Sequence, residues 1–294
     1  MKKLFISILA SAAILFAGHM NSQEKFNSDP KIDASKNAPS NPPRLKFVND
    51  GSEAASSFFA GQDVMEEMLQ ITIKGTDDQK AEQIKKMVPL IKKAISYYSD
   101  AAIKNKNWEL LALIQMGNLY LIMAEKIKNQ ERRAKTEDEQ LAEKIAILQQ
   151  LPGYYDLARP IFQKALDQAR EQGLRNEYTQ ALEAYYIQTY YNNCDLFRNV
   201  ADAFNNAPLP DSTEIVAQYI AEGKAKSDAI KATREDFKAY REELNEKNKQ
   251  AKEMAIPYCT TGIKAAKHYE IKNSQVNQLY KLLGILDPNN SLLR

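Results

Sequence analysis

The sequence has little glycine, cysteine and histidine, and it lacks the alternation of apolar and polar residues that marks β-strands. Ten of its 294 residues are glycine, two are cysteine and two are histidine. No Asn-Gly or Asp-Gly pair stands between two β-branched runs, so the usual signal of a β-hairpin is missing. Residues that enter helices at low cost, above all Ala, Leu, Ile, Lys, Glu and Gln, dominate the remainder. The composition therefore favours an all-α fold.

An excess of charge of one sign is also missing. The formal net charge is +2, and Lys2 and Lys3 at the extreme N-terminus account for two positive charges. Without them the chain is close to neutral, which gives no reason to expect binding to nucleic acid or to an anionic membrane surface. We therefore expect no nucleic-acid partner.

Familiar catalytic motifs are absent as well. The sequence contains no HExxH, GxSxG, phosphate-binding GKS/T loop or Cys-x-x-Cys. His268, the one histidine beyond the leader, precedes Tyr269 near an expected helix end, where a histidine commonly interacts with the helix dipole. Acid pairs such as Glu66 and Glu67 fit a solvated helix face. We predict no catalytic residue, no cofactor and no metal. The alternative is an exported helical enzyme that uses carboxylates alone, acting for example on cell-wall glycans.

The N-terminus carries the pattern of a secretory leader. Lys2 and Lys3 precede a mostly apolar stretch over 4–17, which is too short to span a bilayer as a standard helix. Residues 1–22 are therefore predicted to be a signal peptide, cleaved after Ser22 or after Ala17, and a retained anchor is the alternative. No later apolar segment suggests a stable membrane span. The protein is expected to be exported, either to the periplasm or outside the cell.

Two further expectations follow from local composition. Residues 23–50 are rich in proline and polar residues and poor in apolar ones, which predicts a flexible tether. Cys194 and Cys259 stand 65 residues apart, and export permits a disulfide between them. Two separate buried thiols are the favoured interpretation.

Helical periodicity begins after the tether and continues to the C-terminus. The predicted helices span 52–71, 78–104, 108–128, 136–151, 154–172, 176–205, 212–249, 250–269 and 273–286. The helix over 212–249 is polar, with a narrow seam at Ile230, Phe237, Leu244 and Ala251. We expect this seam to be half exposed and to lie along the edge of the other helices, and a coiled-coil dimer is the alternative.

A nine-residue pattern occurs three times, beginning at Met87, Ala158 and Ala255. Each copy has proline two places on and alanine or glycine at the eighth place. We expect a helix to begin or bend at each proline, and the small residue to admit a neighbouring helix. The copies are offset by 71 and 97 residues, close to two and three times a repeat of about 34.

These copies resemble the second helix of a tetratricopeptide repeat (TPR). Ala158, Phe162 and Ala165 match its small, bulky and small positions, and 116–120 is similar to the Leu-Gly-x-x-Tyr of the first helix. The resemblance covers parts of 80–290 and is lost at 127–153 and 212–249, and a different helical bundle is the alternative. It implies a TPR-like domain over 51–294, an α-solenoid of stacked antiparallel helical hairpins whose first helices line a concave face.

Tyrosines are concentrated on the predicted helix over 176–205, which the resemblance makes a first helix. Such a helix could present aromatic rings and amides to an extended peptide, whereas core packing is the plainer interpretation. The candidate partner-binding residues are Tyr178, Tyr185, Tyr186, Tyr190, Asn192 and Asn193. The sequence thus predicts a protein-binding or scaffolding module of the cell envelope, with an unidentified protein or peptide partner.

Overall fold

Helices account for all the regular secondary structure in the described part of the chain. The computed structural model describes residues 47–209 and 211–294, and it contains no strand within them. The predicted signal peptide and residues 23–46 of the predicted tether lie outside this part. The helices are α1 (Glu53–Gln70), α2 (Asp77–Lys104), α3 (Lys106–Lys128), α4 (Glu137–Gln150), α5 (Pro152–Glu171), α6 (Glu177–Asn205), α7 (Ser212–Ala221), α8 (Lys226–His268) and α9 (Ser274–Leu286), followed by a 3-10 turn at Ser291–Leu293.

Side-chain caps fix where several helices begin. Ser52, Thr136 and Asn176 each accept a hydrogen bond from a backbone N–H of the first turn, so α1, α4 and α6 begin within a residue or so of the predicted starts. Thr136 also forms a capping box, in which the Glu139 carboxylate accepts from the Thr136 N–H at 3.2 Å. The helix starts were thus predictable from short polar residues that precede an apolar period.

The boundary predicted between helices 212–249 and 250–269 is wrong. The chain breaks earlier, at 222–225, where Gly223 adopts a left-handed conformation with φ of 92°. The Gly223 N–H bonds the Ile220 carbonyl and the Lys224 N–H bonds the Tyr219 carbonyl, which is the Schellman arrangement that ends a helix. Beyond the break, α8 continues for 43 residues without interruption.

The main helices associate in successive pairs. The most extensive contacts join α1 with α2, α3 with α5, and α6 with α8. Neighbouring pairs touch mainly through α2 with α3 and α5 with α6, and α9 lies against both α8 and α6. The remaining helices, α4 and α7, lie in the connections within the second and third pairs. The all-α class predicted from the sequence is confirmed.

Of the two alternatives expected at the repeated prolines, a helix start is ruled out, because all three lie inside helices. Pro89, Pro160 and Pro257 are interior residues of α2, α5 and α8. Pro89 and Pro160 lie on exposed positions of their helices, where a carbonyl that lacks its N–H partner can bond water instead.

The residues around each proline share one pattern of burial. The first, fifth and eighth places of each copy are buried. These are Met87, Ile91 and Ala94 in α2; Ala158, Phe162 and Ala165 in α5; and Ala255, Cys259 and Gly262 in α8. The predicted role of the small residue at the eighth place is confirmed for Gly262, because a Cβ there would lie 2.7 Å from the Tyr190 Cβ.

An aromatic ring also meets a glycine within each pair. Tyr98 of α2 covers Gly61 of α1, with its Cε1 2.6 Å from where a Cβ would stand. Phe162 of α5 covers Gly117 of α3 in the same way, and in the third pair the ring belongs to Tyr190 of α6. Glycine at these positions lets two helices approach with a large ring between them.

The N-terminal half of α8 projects from this core with α7 beside it. Between residues 226 and 250, Ala229 and Thr233 are the residues that become buried. The seam residues Ile230, Phe237 and Leu244 are half-buried, as expected, whereas the fourth seam residue, Ala251, is fully buried. Contact with α6 is made further on, where the Asn248 amide donates to the Ala201 carbonyl at 2.6 Å.

Candidate functional site

The six candidate residues of the tyrosine helix divide into two groups. Tyr186, Tyr190 and Asn193 have relative exposures of 0%, 1% and 0%, so the idea that they present themselves to a partner is corrected. Five tyrosines on one amphipathic helix cannot share a face. Tyr190 faces Gly262 of α8, Tyr186 contacts Tyr269 at its end, and Asn193 bonds Asp156 of α5. The other three, Tyr178, Tyr185 and Asn192, are partly exposed.

The buried tyrosines form part of the interface between α6 and α8. The rings of Tyr186 and Tyr190 meet edge to face with centroids 5.4 Å apart, and their hydroxyls are 3.2 Å apart. Tyr186 makes a second edge contact with Tyr269 at 5.5 Å. Cys194 and Cys259 join the same two helices in a disulfide, with a Cα–Cα distance of 5.5 Å. The favoured interpretation of two separate thiols is therefore wrong, because helix packing brings them together.

A partly buried polar cluster, here called the Asp156 cluster, lies beside these residues. It consists of Asp156 and Arg159 of α5, Tyr190 and Asn193 of α6, and Tyr258 of α8. Asp156 accepts from Asn193 at 3.0 Å and from Tyr258 at 3.2 Å, and its Oδ1 lies 2.8 Å from Arg159 Nη2. The Arg159 guanidinium also faces the Tyr190 ring at 4.4 Å and the Tyr258 ring at 5.4 Å.

The chemistry of the Asp156 cluster is that of a fixed charge pair. Burial, together with the nearby Asp156 carboxylate, raises the pKa of Tyr258, so its hydroxyl stays a hydrogen-bond donor. The Arg159 charge is balanced by Asp156 and by two aromatic faces. Sequence reasoning missed this cluster, because Asp156 and Tyr258 stand 102 residues apart. The available signal was an acid three residues before an arginine inside an otherwise apolar repeat pattern.

The partly exposed residues of α6 lie in a row, here called the α6 stripe. Tyr178, Tyr185, Asn192 and Asn199 follow one another at intervals of seven, so they share a side of the helix. The Tyr185 ring stacks on Phe162 with centroids 5.7 Å apart. Burial raises the pKa of Tyr185, and a hydrogen bond from Asn118 of α3 opposes that rise.

Amide acceptors without partners lie close to the α6 stripe. Asn118 uses its amide N–H groups for Gln115 and Tyr185, and its Oδ1 has no hydrogen-bond partner among the described residues. Gln188 Oε1, one turn from Tyr185, also has none in that part of the chain. An unpaired buried acceptor costs about 1–3 kcal/mol, and a bound N–H donor would recover that free energy. Both oxygens are shielded from solvent, so a ligand reaches them only after a movement of the surrounding side chains.

The C-terminal half of the α6 stripe is acidic. Burial is the main cause of the raised pKa of Tyr155, to which Glu125 and Asp195 add through their negative charge and which an Asn192 hydrogen bond opposes. Arg198 bonds Asp195 at 2.9 Å and Asp202 at 2.8 Å. Three carboxylates therefore stand against one guanidinium here, and the surface favours a basic ligand.

A groove of about 480 Å³ is bounded by the α1–α2 turn, the start of α2 and the segment after α3. The carboxylate of Glu131, which lines this groove, accepts a hydrogen bond from the Gly75 N–H at 2.7 Å, and this bond fixes its position. Across the described residues, no group of three His, Cys, Asp or Glu side chains is arranged to hold a metal ion.

By length and composition, α3 is the one described helix that could cross a membrane. More than half of its apolar window, 56%, is buried inside the protein. Comparison with known proteins adds no assignment, since the chain matches no protein-family model, no curated protein and no solved structure.

Proposed function

We propose that the protein is an exported TPR-like binding module, which holds an extended protein or peptide partner along the α6 stripe without catalysing a reaction. The observation that carries this proposal is the row of Tyr178, Tyr185 and Asn192, with the unpaired acceptors of Asn118 and Gln188 beside it. An extended peptide presents backbone N–H groups at regular intervals, which suits amide acceptors, and its side chains suit tyrosine rings.

The TPR-like part of the proposal is supported by the successive helix pairs. Three pairs carry the same buried pattern on their second helix, and each closes with a ring on a glycine. In a stack of this kind α1, α3, α6 and α9 are the first helices and form one layer. The Tyr185–Asn118 hydrogen bond between α6 and α3 supports that arrangement.

Export is supported by the leader pattern over 1–22 and by the disulfide between Cys194 and Cys259. Disulfides persist in oxidising compartments and are rare where thiols are kept reduced. Both sulfurs belong to fully buried residues, so this bond has a structural role.

Capture of partners from an envelope extract tests the binding role. The double variant Gln188→Ala/Asn192→Ala should lose capture at least about tenfold, as expected when central polar contacts of an interface are removed. Its thermal stability should stay close to that of the native chain, because both side chains are partly exposed. The matched control is Gln140→Ala/Gln250→Ala, which removes two exposed amides from α4 and α8. Equal capture by both double variants would refute binding at the α6 stripe.

A further inference from the structure

The projecting half of α8 carries a row of cations that the near-neutral total charge conceals. Lys231, Arg234, Lys238 and Arg241 are all exposed and follow one another at intervals of three or four residues, so they lie along one side of the helix. Lys238 lies 3.8 Å from Glu242. Arg234 and Arg241 have no ion-pair or hydrogen-bond partner among the residues that the structure describes. Both guanidinium groups are therefore available to a negatively charged ligand.

The two arginines lie beside the apolar seam of α8. Arg234 follows Ile230 by four residues and Arg241 follows Phe237 by four, which places each guanidinium next to a seam residue on the same side of the helix. Ile230 and Phe237 are half-buried and lie outside the apolar core of the helix pairs, whereas Leu244 packs against that core. The projecting part of α8 therefore offers an apolar strip with arginines along one edge.

The opposite edge of this strip is covered by α7. Asp236 precedes Phe237 by one residue, and at about 100° per residue it lies across the strip from the arginines. Its carboxylate accepts a hydrogen bond from the Tyr219 hydroxyl of α7 at 2.5 Å. The buried residues Ala229 and Thr233 lie on that side too. One helix thus covers one edge of the strip, and the edge that carries the arginines, here called the arginine edge, is left open.

A second copy of the protein is a poor occupant of the arginine edge. In coiled-coil terms the two seam residues hold position a, the two arginines hold position e, and Asp236 and Glu243 hold position g. An antiparallel pair would set arginine against arginine, and like charges repel. A parallel pair needs free acids at position g, but Asp236 is bonded to Tyr219, and Glu243 lies 3.6 Å from Lys247.

A flat anionic membrane also fits the arginine edge poorly. Acids stand on both sides of the arginines, with Asp236 on one side and Glu235 and Glu242 on the other, because each of these last two follows an arginine by one residue. A flat anionic surface would approach these acids as well and be repelled by them. A helix, which is about 10 Å wide, contacts only the strip between them.

We propose that the arginine edge binds an acidic amphipathic helix of a partner protein. The apolar side of that helix covers Ile230 and Phe237, and its carboxylates pair with Arg234 and Arg241, whose planar guanidinium groups bond carboxylates with two parallel hydrogen bonds. The two apolar residues are seven apart, and so are the two arginines, which is the repeat of a helix that packs along α8. This surface is separate from the α6 stripe, so the inference does not rest on binding there.

Synthetic helices test the inference on the chain from residue 23 onward. The probe is a fluorescent peptide of about 21 residues, or three heptads, with isoleucine at a, leucine at d and glutamate at e and g. A matched peptide carries lysine at e and g instead. Fluorescence anisotropy should show that the glutamate peptide binds at least about tenfold more tightly than the lysine peptide, because the lysines would face the arginines.

Reversing the charge of the arginines should reverse this preference. Arg234→Glu/Arg241→Glu should weaken binding of the glutamate peptide at least about tenfold and strengthen binding of the lysine peptide. The gain of the second ligand also shows that the variant is folded. The matched control is Lys85→Glu/Lys92→Glu, which reverses two exposed cations seven residues apart on α2 and should leave both affinities unchanged.

Several results would overturn the inference. Failure of the glutamate peptide to bind, equal binding of the two peptides, or an equal effect of the α2 control would each do so. Dimerisation in sedimentation, or binding to phosphatidylglycerol vesicles, that is lost in Arg234→Glu/Arg241→Glu would assign the edge to another occupant. Gln188→Ala/Asn192→Ala should leave peptide binding unchanged even where it abolishes partner capture. Loss of peptide binding in that variant would place the peptide on the α6 stripe instead.

Discussion

Gly262 of α8 lies directly beneath Tyr190 of α6, so that a Cβ on the glycine would stand 2.7 Å from the Tyr190 Cβ and 2.8 Å from Leu279 Cδ1. The disulfide between Cys194 and Cys259 is one helical turn away. Tyr190 also carries Arg159 over its ring, at 4.4 Å. One close approach of two helices therefore sets the geometry of the third helix pair and of the Asp156 cluster.

Gly262→Ala should destabilise the protein, although alanine favours helices. The new methyl group would press on Tyr190 Cβ, which is attached directly to the α6 backbone and cannot rotate away. Overpacking of this kind costs about 1–3 kcal/mol of unfolding free energy. Urea denaturation measures the loss.

Gly284→Ala is the matched control, because the nearest heavy atom to a Cβ there is Leu293 Cδ1 at 4.0 Å. With space for the methyl group, this variant should gain up to about 1 kcal/mol from helix propensity. If Gly262→Ala and Gly284→Ala are stabilised alike, the close approach of α6 and α8 is wrong.

Loss of the disulfide should lower stability substantially. The bond joins residues separated by 65 positions in sequence, and chain entropy predicts about 4 kcal/mol for a loop of that length. Cys194→Ala/Cys259→Ala should therefore unfold at a clearly lower urea concentration than the oxidised native chain. Adding reductant to the unfolding reaction should bring the native chain close to the variant and leave the variant itself unchanged. Coincident unfolding curves for the oxidised native chain and the variant would contradict this role.

Most of the helices could be predicted from the sequence, and the failures have local physical causes. Helix starts could be predicted at Ser52, Thr136 and Asn176. Their side chains accept hydrogen bonds from first-turn N–H groups, which have no acceptor within the helix. The break at 222–225 was missed because the seven-residue seam continues in phase on both sides of Gly223. A seven-residue repeat indicates which face of a helix is apolar. It gives no sign of a single left-handed residue at which the helix ends and the chain reverses direction.

The candidate site was less predictable than the fold. Spacing shows that Tyr186 and Tyr190 share a face, but which face turns inward depends on where α8 packs. That contact lies some 70 residues away in sequence, and Gly262 is the residue that permits it. The residues of the α6 stripe are spaced seven apart in the sequence. Core tyrosines of the same helix lie between them, and spacing alone does not separate the two groups.

Arg159→Met should be destabilising. It would leave the Asp156 carboxylate partly buried beside Tyr258 and Asn193 without its cation. Because Arg159 is nearly buried and Asp156 is partly exposed, the loss should lie between the roughly 1 kcal/mol of an exposed pair and the roughly 3 kcal/mol of a fully buried one.

The control for this variant is Arg198→Met, whose guanidinium bonds Asp195 and Asp202 on its own helix and whose side chain is 30% exposed. Water screens such pairs, and their loss costs less than about 1 kcal/mol. Chemical denaturation of the two variants gives the comparison. Similar small losses in both would show that Arg159 is not held in a buried pair.

Glu183 should make stability depend on pH in the opposite sense to an acid whose pKa is lowered by folding. Burial raises the pKa of its carboxyl above 4.5, and Arg175 and Arg170 oppose the rise. The folded state therefore binds more protons than the unfolded state just above pH 4.5, and this group lowers stability as pH rises through its folded pKa. Glu183→Gln keeps the shape and removes the charge, so it should raise the melting temperature at about pH 7. The difference in melting temperature should vanish near pH 3, where Glu183 is protonated in both the folded and the unfolded state. Melting curves at these two pH values give the answer, and a Glu183→Gln variant that is less stable at neutral pH would show that the attraction of the Arg175 and Arg170 charges outweighs burial.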